Sequence, residues 1–441
     1  MFVCSHCDTQ YHKWQGRCTE CGQWSTIVEE SQTTAKPKQL KEAQKAPFLI
    51  LSESKNSHAR HLPTGIAELD RVLSGGLVPG SVTLLAGEPG IGKSTLVAEL
   101  ASTFSKEKPC YYVSGEESEG QVLLRFERLG IVPTSILFSN STEVHSIIAA
   151  SNSIAPSLLI IDSIQTMMTD GVESIAGTPL SVRAATAELI QYAKSTNTPV
   201  LLIGQMTKDG SVAGPKTLEH LVDTVLTLEG DKNSFYRLLR PSKHRFGSTE
   251  EVGVFEMTGK GLVGVENPSA RFLEERTGNP GSVVTCSIEG TRPFLLEIQA
   301  LAEKSVYPNP IRRTSGFDAG RLHMLLAILQ KFARANVSTT DVYVNVVGGM
   351  ELHEPAADAA VCAAILSSLQ NKPLPKNLVV MGEMGLGGDI RSIPLLERRK
   401  KEAERLGFSH VIAPDTAKHM ADLLSLCHCE PSQAGRSNPI E

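Results

Sequence analysis

Gly87-Glu88-Pro89-Gly90-Ile91-Gly92-Lys93-Ser94 has the spacing G-x-x-x-x-G-K-[ST], the pattern of a phosphate-binding loop. It constrains the fold more than any other stretch, because such a loop works only between a strand and a helix. Its flanks supply both. Residues 81–86 are apolar and β-branched enough for a buried strand, and 95–101 read as a helix. The glycines let backbone N–H groups close around phosphates at a helix N-terminus. The residues expected to cradle the nucleotide are Gly87, Glu88, Pro89, Gly90, Ile91, Gly92, Lys93, Ser94 and Thr95. Lys93 would reach the β- and γ-phosphates of ATP, and Ser94 would hold Mg²⁺.

The chain has 441 residues, more than one ordinary core accommodates, so two or three domains are expected. Its formal net charge of −5 confines any nucleic-acid site to a local patch. No apolar run is long enough to span a bilayer, and the first residues are not those of a signal peptide. A cytoplasmic protein without membrane attachment is therefore expected, and in that compartment structural disulfides are rare.

Four of the nine cysteines have another use. Cys4-Ser5-His6-Cys7 and Cys18-Thr19-Glu20-Cys21 are two C-x-x-C pairs with ten residues between them. Cys4, Cys7, Cys18 and Cys21 supply the soft ligands of tetrahedral Zn²⁺. A ribbon over residues 1–26 has almost no core, so the metal would be its folding energy. Such ribbons bind either nucleic acid or protein. Cys427-His428-Cys429 is a further ligand group with no second pair beside it. Residues 27–60 shift to Glu, Gln, Lys, Ser and Thr, the composition of a flexible linker, with one short apolar element at Phe48-Leu49-Ile50-Leu51.

Beyond the linker, Pro63–Leu73 reads as a capped amphipathic helix, and Ser74–Gly80 turns the chain into the first strand. Cys110–Ser114, Leu158–Asp162 and Val200–Gln205 are further strands, each ending at polar residues. Strands alternating with helices imply a parallel sheet, whose ligands bind at the carboxyl ends. Asp162 then takes the Walker B role on the Mg²⁺ shell. Glu116 or Glu117 is the general base, and Gln205 senses the γ-phosphate. Arg237–Gly247 is the most basic stretch of the chain, and by charge alone it reads as a solvated turn.

These residues resemble the RecA-type ATPases. Aligned on Cys110, the resemblance puts Glu116 at the family's catalytic glutamate. It also puts 167–181 and 206–218 where the family carries two DNA-binding loops, the second with only Lys208 and Lys216 as cations. With the cysteine ribbon and Lys243-His244-Arg245-Phe246-Gly247 added, the chain from Cys4 to beyond Leu406 resembles the RadA (Sms) family of bacterial DNA-repair proteins. That family's signature is Lys-Asn-Arg-Phe-Gly, with His244 here in the asparagine's place, and it usually has His where this chain has Gln205. The resemblance implies a homo-hexameric, DNA-dependent ATPase of recombinational repair. It would drive branch migration on single-stranded and branched DNA beside a recombinase. Motors of the DnaB type imply that Lys243 and Arg245 act on the neighbouring subunit's nucleotide. An ATPase that remodels proteins without DNA is the competing class.

From Pro280 the pattern changes. A hairpin over 281–301, a helix over 321–333, a strand over 341–347, a small-residue helix over 358–370 and a strand over 378–381 make an α+β layout. It resembles the proteolytic domain of Lon. Lon's Gly-Pro-Ser-Ala-Gly turn corresponds to Glu354-Pro355-Ala356-Ala357-Asp358, with Ala356 in the serine's place. Alignment on Gly382-Glu383 puts Glu397 at the catalytic lysine. A methyl and a carboxylate cannot make a Ser–Lys dyad, so an ATP-dependent protease is not expected. Arg312, Arg313, Arg321, Arg391, Arg398, Arg399, Lys400 and Lys401 are candidates for a basic surface. The expected fold class is α/β overall. It comprises the zinc ribbon (1–26), the linker (27–60), a RecA-like P-loop core with a parallel sheet (61–275) and a Lon-protease-like domain (280–441).

Overall fold

The computed structural model describes residues 2–7, 9–29, 60–170, 175–205, 218–230 and 235–427. The linker with its Phe48–Leu51 element, residues 206–217 of the second expected loop and the side chains of Cys427, His428 and Cys429 lie outside the described residues. The chain divides into two compact units, Met1–His58 and Ala59–Glu441. The first carries strands β1 (Phe2–Cys4), β2 (Gln10–Tyr11) and β3 (Ile27–Glu29), paired antiparallel in the order β2-β1-β3. Among its described residues, the buried apolar ones are Cys4, Cys18 and Ile27, with Phe2, Tyr11 and Cys21 packed against them. So small a core needs a further source of stability.

The second unit is built on a sheet of nine strands. These are β4 (Val82–Gly87), β5 (Cys110–Ser114), β6 (Ile136–Ser139), β7 (Leu158–Asp162), β8 (Val200–Gln205), β9 (Thr224–Glu229), β10 (Tyr236–His244), β11 (Gly253–Thr258) and β12 (Gly261–Gly264). Their order is β12-β11-β10-β9-β4-β8-β7-β5-β6. The six strands from β9 to β6 run parallel, and β10 to β12 continue as an antiparallel meander.

Alternation along each central strand feeds two cores. Leu85, Tyr112, Ile160 and Leu201 face one side with Leu96, Val97 and Phe126. Leu84, Val113, Ile161 and Leu202 face the other with Ile147, Leu189 and Tyr192. Burial on both faces is why these strands read as unbroken Val/Ile/Leu runs. The helices supplying those faces are α1 (Ala67–Val72), α2 (Lys93–Phe104), α3 (Glu119–Arg128), α4 (Val144–Ile154) and α5 (Pro179–Thr196).

Two sequence expectations change here. The helix expected from Pro63 begins only at Ala67. The Asp70 carboxylate accepts from the Thr64 amide at 2.7 Å and the Gly65 amide at 3.2 Å, which holds the lead-in as a turn. The basic stretch expected as a solvated turn is mostly strand β10, with Arg237, Leu239, Pro241 and His244 buried along it. Only its last residues, Arg245 to Gly247, form a turn.

After α6 (Pro268–Leu273) come β13 (Ser282–Glu289), β14 (Arg292–Lys304), β15 (Arg312–Ser315), α7 (Ala319–Phe332), β16 (Thr340–Val346), α8 (Asp358–Gln370) and β17 (Leu378–Val380). The chain then forms β18 (Glu383–Met384), β19 (Ile390–Arg391), α9 (Leu396–Arg405), β20 (His410–Ile412) and α10 (Met420–Cys427). The six-stranded sheet has the order β15-β16-β14-β13-β17-β20. The expected hairpin, helices and strands are all present within a residue or two at most ends, as helix and strand assignments permit. Helix α8 is buried from Asp358 to Ser367, and its alanines let it lie close against the sheet.

A buried carboxylate ties the two sheets together. Glu68 of α1 accepts from the Val254 amide at 2.8 Å and from Arg292 Nη1 of β14 at 2.5 Å, and Arg71 reaches its other oxygen at 3.3 Å. Arg240 meets Glu289 at 2.9 Å, and the Tyr236 and Phe272 rings pack edge-on at 4.8 Å. Removing one partner of a buried ion pair strands the other charge. Arg292→Ala is expected to destabilise this unit by about 3 kcal/mol, the lower end of that range because Arg71 remains. Denaturant unfolding measures it, and a change under about 0.5 kcal/mol would remove Arg292 as the tie.

Candidate functional site

The glycine loop leaves β4 at Gly87 and enters α2 at Lys93. Gly92 is the N-cap, at φ 116°, with no side-chain cap, so the first amides of α2 remain available to an anion. The loop is closely fitted. A Cβ on Gly87 would lie 2.6 Å from the Leu228 carbonyl oxygen, and one on Gly92 would lie 2.8 Å from both Leu262 and Met257. Pro89 and Gly90 are exposed at its crest. Lys93 is buried, and its Nζ donates to the carbonyls of Gly87 at 2.8 Å and Glu88 at 2.9 Å. Burial pulls the Lys93 ammonium below its ordinary pKa, while Asp162 and Glu116 act in the opposite sense.

The neighbouring strands deliver the other groups. Gly87 pairs with Gln205, and Ser114 pairs with Asp162, so four carboxyl-terminal strand ends share one edge. Asp162 is buried, which raises its carboxyl, and a hydrogen bond from the Tyr112 hydroxyl at 2.8 Å opposes that rise. Glu116 is exposed at the mouth. It accepts from Ser163 Oγ at 2.5 Å and from Gln205 Nε2 at 3.1 and 3.2 Å. Glu117 turns away to pair with Arg125 of α3. Gly115 between strand and glutamates must be glycine, because a Cβ there would fall 2.1 Å from Thr166 Oγ1. The hydroxyl of Ser94 and the carboxylate of Asp162 are hard oxygen donors, which suits Mg²⁺.

Tyr112, Ser163 and Arg125 were not legible as site residues. An aromatic in a strand reads as core, and the partners of Ser163 and Arg125 lie on other elements. Of the first expected loop, 167–181, the end is already helix α5, and residues 171–174 lie outside the described residues.

Lys243 to Gly247 sit elsewhere. β10 runs antiparallel to β9, and His244 pairs with Thr224, which pairs with Thr83 near the start of β4. The motif therefore lies at the amino-terminal edge of the parallel strands, one strand length, roughly 16 Å, from its own P-loop. Lys243 Nζ donates to the carbonyls of Glu219 at 2.6 Å, Val222 at 2.9 Å and His220 at 3.4 Å. Arg245 is half-exposed and meets Asp223 at 3.0 Å. Asp223 also accepts from the Val82 amide at 3.0 Å. His244 is buried against Thr224 at 3.0 Å, and the half-exposed Phe246 ring stands edge-on to it. A Cβ on Gly247 would lie 2.0 Å from Ser74 Oγ.

In the ribbon, the Sγ atoms of Cys4, Cys7, Cys18 and Cys21 all lie within 4.8 Å of one another. Cys4 and Cys21 are 3.7 Å apart, and Cys7 and Cys18 are 3.4 Å apart. Thiolates around tetrahedral zinc stand roughly 3.8 Å apart, so the set fits the ion. The Cys21 amide faces Cys18 Sγ at 3.5 Å, as a knuckle requires. Burial would raise the Cys18 thiol, but this amide and the Tyr11 hydroxyl help bring it down to about 6.

The Lon-like turn holds no dyad. Ala356 is buried among Val284, Cys286 and Met381. Glu397 does not face it: the side chain is 79% exposed and pairs with Lys400, because its position on α9 points to solvent. The buried cation of that helix is Arg399. It donates to the Cys286 carbonyl at 2.5 Å and to both oxygens of Glu354 at 2.8 and 2.6 Å. The candidate basic surface also thins, since Arg321 is held bidentately by Asp358 and Lys400 pairs with Asp415.

Fold and site together define a RecA-like P-loop ATPase with an N-terminal cysteine metal ribbon and a Lon-like C-terminal region. The KaiC ATPase family model matches residues 62–142, the rubredoxin metal-binding domain matches 2–29, and the C-terminal proteolytic domain of Lon protease (S16) matches 327–426. The DNA repair protein RadA of Aquifex aeolicus (strain VF5) is 45% identical over 416 residues, 94% of this chain and 93% of that protein. RadA of Pseudomonas aeruginosa PAO1 is 44% identical over 418 residues, 94% and 92% of the two chains. RadA of Streptococcus pyogenes serotype M1 is 42% identical over 429 residues, 96% and 94%. The chain belongs to the RadA family of DNA repair proteins. No helix among the described residues is long and apolar enough to cross a membrane.

The ribbon geometry carries a direct test. Purified protein is expected to hold one Zn²⁺ per chain, and Cys18→Ser to lose it with the P-loop core still folded. Metal analysis beside thermal unfolding measures both, and full zinc content in the mutant would remove Cys18 from the ligand set.

Proposed function

We propose that this chain is a DNA-dependent ATPase of recombinational repair that works as a homo-hexamer. Its substrates are single-stranded and branched DNA, which it moves by ATP-driven branch migration beside a recombinase. The observation that carries the reading is the meeting of Lys93, Asp162, Glu116 and Gln205 at one sheet edge. Functionally, the ribbon (1–26) holds Zn²⁺, the core (61–275) hydrolyses ATP, and 280–441 serves assembly or DNA contact without peptidase chemistry.

In this reading the α2 amides and Lys93 hold the β- and γ-phosphates. Ser94 and Asp162 hold Mg²⁺, which when bound neutralises phosphate charge. Glu116 takes a proton from a water whose oxygen attacks the γ-phosphorus, as the bond to the β-phosphate oxygen breaks and leaves ADP and phosphate. The contact of Gln205 with Glu116 is supporting geometry for a γ-phosphate sensor at the start of the second loop. Glu117 is less suited to be the base because Arg125 engages it.

Lys243 and Arg245 stand a strand length from their own P-loop, which supports action on the adjacent subunit's γ-phosphate. Arg245 would leave Asp223 to do so. Such a cation contributes about 10³–10⁵ in rate.

Three outcomes follow from these assignments. Lys93→Ala is expected to cut hydrolysis by at least about 10²-fold. Glu116→Gln is expected to keep nucleotide binding and lose turnover, and if only Glu117→Gln shows that phenotype, the base is Glu117. Mixing Arg245→Ala with Lys93→Ala subunits should restore ATPase at mixed interfaces. A dead mixture that still co-assembles, with Arg245→Ala merely weaker on DNA and showing a reduced salt slope, makes these cations DNA contacts. Stimulation of hydrolysis by single-stranded DNA is the expected signature of the whole reading, and its absence favours a protein-remodelling ATPase.

A further inference from the structure

Tyr112 is fully buried in β5, two residues before Ser114 and on the sheet face that carries α2. Its ring is edge-on to Phe126 and stacked on Phe138, with both centroids 6.4 Å away. A ring held from two sides fixes where its hydroxyl points. That hydroxyl donates to Asp162 Oδ2 at 2.8 Å. Phenylalanine would fill the same space, so the oxygen contributes nothing to the apolar packing. Its use is the hydrogen bond that a buried tyrosine hydroxyl ordinarily finds. Asp162 is itself only 6% exposed, so protein groups set its orientation. Among the described residues, the hydrogen bond from Tyr112 is the one that reaches its carboxylate.

We propose that Tyr112 is a positioning residue for the Mg²⁺–nucleotide: it holds Oδ2 of Asp162 and leaves Oδ1 to the metal's shell. The group acts through Asp162 and touches neither metal nor phosphate. Partners of metal ligands typically affect metal affinity by about 10–100-fold when removed. The inference rests on the ATPase reading above.

The test is binding of a fluorescent ATP analogue to the full chain as a function of Mg²⁺ concentration, without turnover. Tyr112→Phe is expected to raise the Mg²⁺ midpoint about tenfold, with analogue affinity returning to the wild-type value at saturating Mg²⁺. In an Asp162→Asn background the same substitution should shift nothing further. An unmoved midpoint overturns the proposal. So do equal losses of affinity at every Mg²⁺ concentration, which mark a packing effect, and shifts that simply multiply with those of Asp162→Asn. Phe126→Leu keeps the hydroxyl and loosens the ring. If Tyr112→Phe does not fold, a raised midpoint in Phe126→Leu supports the proposal and an unmoved one overturns it. Wild-type protein that binds no analogue at any Mg²⁺ concentration removes the ATPase reading itself. Wild-type binding with an unmoved midpoint in Tyr112→Phe removes only the role of Tyr112.

Discussion

The pairing of Gly87 with Gln205 and of Ser114 with Asp162 across neighbouring parallel strands is what the rest of this structure depends on. A slip of one residue would turn every side chain of a strand to the opposite face. Here both faces are buried, Leu84, Ile161 and Leu202 on one and Leu85, Ile160 and Leu201 on the other, so the register is fixed twice over. The strand ends then arrive level. A glycine loop, a carboxylate, a glutamate turn and a glutamine share one edge because apolar side chains several residues away interlock.

The same sheet carries a second edge. Asp223 accepts from the Val82 amide where β4 begins and holds Arg245 on its other oxygen. Lys243 has three donors and finds three carbonyls on residues 219 to 222. Those residues follow directly on the segment leaving Gln205. Strand β9 and the antiparallel return of β10 thus join the nucleotide edge to the basic motif through rigid, paired backbone. The path between the two edges is short, and it is a paired strand rather than a loop.

The C-terminal region has a Lon-like architecture without the side chains of a Ser–Lys dyad. Where a Ser–Lys dyad would need a hydroxyl and an amine, Ala356 packs into a core and Arg399 makes a buried bidentate pair with Glu354. A guanidinium stays protonated at any physiological pH and cannot serve as a base. The pair instead fixes α9 against β13 through the Cys286 carbonyl. The interlock of Glu68 with Arg292 makes this region part of one compact unit with the ATPase core, although the sequence reads as two.

Local features were decided by the sequence alone. The P-loop spacing, the two C-x-x-C pairs, the Val/Ile/Leu runs and the order of strands and helices each depend on residues adjacent in the chain. Their physics is that of turns, thiolate knuckles and periodic burial. The missing dyad was equally visible, since it needs only the identity of residue 356. Tertiary structure decided whatever depends on partners far apart in the chain. Glu116 faces Gln205 from 89 residues away while Glu117 faces Arg125, and no local rule separates two adjacent carboxylates. Arg399 rather than Glu397 turns inward, because the rotation of α9 against the sheet is set by packing. The basic stretch became a strand because β9 and β11 pair with it on either side, and backbone hydrogen bonds between strands leave no trace in charge or composition.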